Sequence, residues 1–126
     1  MTTAIPTPAA LAARITKPPV LAGSYRAFRG HYLLAVREAR LIPHTKLVGL
    51  VLGVYASPDG VIPANRQPGV DGLAATTGLT PGLVVVQLRV LEQRGWLQPV
   101  PGGRYETSPL CLSVPAALMA RVRGPR

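Results

Sequence analysis

A chain of 126 residues that is 48% apolar makes one compact domain the default and excludes a disordered chain. Fourteen Lys and Arg against five Asp and Glu leave a net charge of +9, which points to a polyanionic partner, either nucleic acid or an anionic membrane surface. The lone Cys111 excludes an intrachain disulfide and fits a reduced, cytoplasmic protein.

The first segment, residues 1–23, carries Pro6, Pro8, Pro18 and Pro19 around an Ala-rich stretch and reads as a basic N-terminal arm, with room for a short helix near Pro8 to Ile15. It lacks a basic start followed by an unbroken apolar run, so it does not read as an export signal. Ser24 can cap a helix running to about Arg40. Its Tyr25, Phe28, Tyr32, Val36 and Ala39 recur at helical spacing, with Arg26, Arg29, Arg37 and Arg40 off that stripe.

Pro43 is expected to stop this helix, and His44 or Thr45 to cap the next. Leu47 to Ala56 has almost no polar face, which predicts the central buried helix; about ten residues are roughly half of what a membrane-spanning helix needs. Ser57-Pro58-Asp59-Gly60 signals a turn, and Val61-Ile62 leaves room for one small strand before a Pro- and Gly-rich loop.

A short helix is then predicted from Val70 to Thr77, ending at Gly78, which can take the positive φ of a sharp turn. Leu79 plugs the space between two helices. Thr80 caps the second, with Pro81 at its first position, Val84, Leu88 and Leu91 on its inner face, and Gly95 at its close. From Trp96 the period becomes alternating: Trp96 to Val100, a Pro101-Gly102-Gly103 tip and Arg104 to Thr107 predict a β-hairpin. Leu110 to Val122 is apolar again, with a helix expected near Pro115. The fold class is therefore mostly α with a small β-hairpin. Three parts are expected: the arm at 1–23, a domain at 24–107, and a basic tail or short helix at 108–126.

The order helix, short strand, helix, tight turn, helix, hairpin is that of a winged helix-turn-helix, here with an extra N-terminal helix. Thr45 to Gly60, Leu73 to Thr80 (LAATTGLT) and Leu88 to Leu97 (LRVLEQRGWL) resemble segments of actinobacterial and phage-type helix-turn-helix proteins, over roughly half the chain. That resemblance implies a sequence-specific protein of double-stranded DNA, a transcriptional regulator of the repressor kind. The same family also implies plasmid or phage replication and transfer factors, and a winged helix can serve protein interaction without DNA.

Carried over, the resemblance makes Thr80 to Arg94 the recognition helix and Arg104 the wing tip. The DNA-binding candidates are Thr80, Gly82, Leu83, Val85, Val86, Arg89, Arg94 and Arg104. Aliphatic groups at outward positions are a departure from typical readers. Val85 and Val86 could meet thymine methyl groups while Arg89 bonds guanine or phosphate; they could form a protein interface; or the N-terminal helix could cover them.

Catalysis is not expected, because the five acids all have ordinary places in turns, helix starts, arginine pairs and a strand. His31, His44 and Cys111 lack metal-ligand spacing, and no cofactor motif is present. No residue identifies a small-molecule effector. A homodimer is expected, since the Tyr25, Phe28, Tyr32 and Val36 stripe, together with Leu110, Leu112, Leu118, Met119 and Val122, exceeds what a core of about 60 residues would cover; the alternative is that the Ser24 to Arg40 helix folds back on its own domain, and Leu110 to Val122 could pack either on the domain or on a partner.

Overall fold

Phe28, Tyr32 and Val36 stand four residues apart, so a helix puts them on one face. In the computed structural model, which describes residues 20–21, 28–99, 108–116 and 118, they line the inner face of α1 (Phe28–Glu38) and none is exposed. Ser24 and Tyr25 lie outside the described residues. The Tyr32 ring meets Trp96 edge-on, centroids 6.0 Å apart, and its hydroxyl donates to the Gly49 carbonyl at 2.9 Å. Burial holds that phenol's pKa well above its ordinary value.

The second helix, α2 (Pro43–Tyr55), begins one residue earlier than the expected caps. Pro43 opens it rather than stopping the one before, because its fixed φ and missing N–H suit the first helical position. Ile42 occupies the N-cap and supplies no side-chain bond. Thr45 turns inward instead, fully buried, and its hydroxyl donates to Gln87 Oε1 at 2.6 Å. Val48, Leu52, Gly49 and Gly53 form the packed face. A Cβ at Gly53 would stand 2.5 Å from Leu33 Cδ2 and 3.2 Å from the Tyr32 ring, so glycine here lets α1 and α2 approach. The helix is central but not wholly buried: Leu47 is 36% and Val54 70% exposed.

The turn after α2 closes as its residues dictate. Gly60 donates to Ser57 O at 2.8 Å with φ 89°, and the Asp59 carboxylate accepts from the Val61 amide at 3.1 Å. Strand β2 (Val61–Ile62) follows, then a 3-10 turn at Ala64–Arg66. Arg29 ties α1 to this corner, its guanidinium donating to Ala56 O at 2.9 Å and its amide to Pro58 O at 3.0 Å.

Helices α3 (Gly69–Thr77) and α4 (Pro81–Gln93) form the sharpest corner, their axes turning by 104°. Gly78 makes the turn at φ 80°, a left-handed conformation, and donates to Ala74 O at 2.9 Å. Thr80 caps α4 through its hydroxyl, which accepts from the Leu83 amide at 3.2 Å. The far end closes as a Schellman motif: Trp96 donates to Leu91 O and Gly95, at φ 86°, to Glu92 O. Leu73, Val84, Leu88 and Leu91 fill the angle between these helices and α2.

Strand β3 (Leu97–Pro99) follows α4 as expected, but its partner is not where the shortest hairpin would put it. The expected return strand at Arg104 to Thr107 lies outside the described residues. The strand that pairs with β3 is β4 (Leu110–Val114), in register Leu97↔Leu112 and Pro99↔Leu110. The same strand pairs antiparallel with β2 (Val61↔Cys111) and with β1 (Val20–Leu21; Val20↔Val114). Alternation explains the choice: Leu110, Leu112 and Val114 stand two apart and all three are buried. Ser113, between them, is tied by its hydroxyl to Gly95 O at 2.5 Å. Residues 110–114, which lie beyond the domain end expected at Thr107, hold the sheet together.

The result is mostly helical with a small antiparallel sheet. One consequence concerns self-association. Phe28, Tyr32 and Val36, with Leu110 and Leu112, were the surface a homodimer was expected to bury, and a single chain already covers them. Met119 and Val122 lie outside the described residues. Among the described residues no single helix is long and apolar enough to cross a membrane.

Candidate nucleic-acid interface

The surface of α4 follows from its period. Val84, Gln87, Leu88 and Leu91 face inward, so the line on the opposite side runs through Gly82, Val86, Arg89 and Gln93, all exposed. Leu83, 39% exposed, and half-buried Val85 flank this line. Val86 is 52% exposed, so α1, which packs on α2 and β4, does not cover it.

The sequence-based candidates thus divide. Gly82, Leu83, Val86 and Arg89 come together on one solvent-facing surface. Val85 stands at its edge, partly withdrawn. Thr80 spends its oxygen on the cap of α4 and leaves its hydroxyl proton to donate outward. Arg94, the C-cap residue, is turned away from the line and opens instead on a cavity shared with Arg40 and Thr45. Arg104 lies outside the described residues.

Gln93 is a residue that sequence reasoning missed. It stands four positions beyond Arg89 on the same exposed line, and the helical period that named Val86 and Arg89 could have named it too. Gln87 looks similar in sequence but is only 3% exposed and bound to Thr45, where it joins α4 to α2.

Among the described residues of α4, Arg89 is the one basic side chain, and exposed Glu92 stands three positions further along the helix. The ion pair among the described residues joins Arg37 to Glu38 at 3.0 Å, with side chains 67% and 50% exposed, a setting in which such pairs contribute little. The Arg89 side chain has no ion pair or hydrogen bond among the described residues, so its guanidinium is free to meet an acceptor. Gly82 has nothing within 4 Å of where a Cβ would stand, so the start of the helix offers a bare backbone edge to an approaching ligand. Among the described residues no group of three or more His, Cys, Asp or Glu converges to hold a metal.

Comparison with protein-family models, with curated proteins and with solved structures finds no match for this chain.

Proposed function

We propose that the chain binds double-stranded DNA as a winged helix-turn-helix domain, with α4 in the major groove, and acts by occupying its site rather than by catalysis. The observation that carries this reading is the exposed line Gly82, Val86, Arg89 and Gln93 on a helix set at 104° to the one before it, in a chain of net charge +9. Helix-turn-helix units join two helices at about 90–120° through a three- or four-residue turn that often contains glycine. Gly78 to Thr80 meets that description.

The chemistry along the line suits base edges. A guanidinium at Arg89 can take guanine O6 and N7 together, an amide at Gln93 can take adenine N6 and N7, and Val86 offers methyl groups to thymine. From Val86 to Gln93 the helix rises about 10 Å, close to three base-pair steps. The aliphatic run is then compatible with readout, because a T-rich position needs apolar contact rather than a donor. Such a protein suits transcriptional regulation, where occupancy alone blocks or recruits.

A second reading has one observation in its favour: exposed Leu83 and Val86 would also suit a protein partner. Amide-resolved NMR titration with a duplex separates the two. DNA binding through α4 should move the signals of Gly82, Val86, Arg89 and Gln93 and leave those of buried Leu52 and Val48 in place. Shifts confined to residues away from α4 would overturn the assignment.

A further inference from the structure

A cavity of about 190 Å3 opens where the link between α1 and α2 meets the second half of α4, lined by Arg40, Leu41, Ile42, Thr45, Val90 and Arg94. Its polar residues are Arg40 and Arg94, both exposed, and buried Thr45. Neither the Arg40 nor the Arg94 side chain has an ion pair or hydrogen bond among the described residues. The remaining walls, Leu41, Ile42 and Val90, are aliphatic. The cavity thus sets two arginines and a threonine beside three aliphatic side chains.

Size and composition narrow the occupant. An apolar cavity of about 150 Å3 takes a benzene ring, so this space holds one ring and leaves a charged head near the two arginines. Guanidinium groups pair with carboxylates through two parallel hydrogen bonds. The first turn of α2 borders the same space with no acidic residue and no side-chain cap, which adds to the positive potential there. A DNA phosphate could use the charges but would leave the aliphatic walls unused.

We propose that this cavity binds a small organic carboxylate with an apolar body about one ring in size, its head held between Arg40 and Arg94 and its body against Leu41, Ile42 and Val90. The ligand would bridge the α1–α2 link to the end of α4, beside the Thr45 to Gln87 bond that already joins those elements. Its effect on DNA rests on the reading proposed above: an anion at Arg40 and Arg94 removes positive charge from the end of the recognition helix and weakens DNA binding.

The test titrates the full chain separately with sodium benzoate, benzyl alcohol and inorganic phosphate, observed by NMR. Benzoate should produce saturable shifts at the Thr45 and Val90 amides and at the Arg40 and Arg94 side-chain Nε, at lower concentrations than the other two probes. R40Q and R94Q should each weaken benzoate by about tenfold, the loss of one charge-assisted pair, with melting temperature unchanged because both side chains are exposed. No saturable benzoate shift would overturn the proposal. So would phosphate binding as tightly as benzoate, which would make the mouth a backbone-phosphate contact, or benzyl alcohol binding as tightly, which would make it a neutral pocket. The benzoate titration needs no DNA, so its success or failure is separable from that of the DNA reading.

Discussion

Helices α2 and α4 are both 13 residues long and both open with proline, yet they are held in different ways. α4 has a local cap in Thr80 and a Schellman close at Gly95, and it keeps a polar and cationic line for solvent. α2 has Ile42 where a cap would be and is fixed by the packing of Val48, Leu52, Gly49 and Gly53 against its neighbours. Local signals suffice for a helix that must present a face. A helix that serves as the floor of the domain is positioned by tertiary contact, and most helical stability in proteins comes from such packing.

The largest expected effect breaks the floor. Leu52→Ala removes a fully buried side chain from α2 and should cost about 2–5 kcal/mol in chemical denaturation. Arg89→Ala, at an exposed position on α4, should leave stability unchanged and cost about 1–3 kcal/mol of binding to a preferred duplex, measured by fluorescence anisotropy. An equal loss on random duplexes would mean that Arg89 meets phosphate rather than a base.

Smaller effects sharpen the contrast at the helix starts. Thr80→Ala should cost about 1 kcal/mol by removing the cap of α4. Ile42→Asp should act in the opposite direction, raising the melting temperature by supplying α2 with the cap it lacks at a residue 62% exposed and already in the extended conformation a cap requires. If Thr80→Ala were silent and Ile42→Asp destabilising, the distinction drawn between the two helices would fail.

The contact of α1 with this floor, where the Tyr32 hydroxyl donates to Gly49 O, also predicts a response to alkali. Tyr32 is buried with its pKa raised, so its phenol stays protonated in the folded chain while the unfolded phenol releases its proton above about pH 10. The unfolded state then binds fewer protons, and stability falls as pH rises through that point. Absorbance titration should show this one of the four tyrosines ionising only as the chain unfolds. A Tyr32 that titrates normally in the folded protein would contradict its burial.

Legibility followed the range of the signals. Gly78, Thr80, Pro81 and Gly95 each act within a few residues, and the α3 to α4 corner was readable from them. The inner face of α1 was readable too, because Phe28, Tyr32 and Val36 repeat at helical spacing. The partner of β3 was not, since strand pairing is non-local and the Gly-rich tip favoured a nearer return than Leu110. The surface that pairing closes depends on the same non-local contact, so the sequence alone leaves open whether Leu110 and Leu112 face the domain or a partner. On α4 the residue types were read but not their directions: Val85 and Arg94 turn off the line that Gln93 joins.

The central claim is that α4 meets DNA through its exposed line, with the chain's positive charge drawing it to phosphate. Affinity for a short duplex across a series of salt concentrations tests this most directly. The account predicts a linear fall of log affinity with log salt, with a slope of about −0.9 for each phosphate neutralised, made shallower in a variant that lacks a phosphate-contacting arginine. Binding that is undetectable at about 50 mM salt, or that does not change with salt, would contradict it.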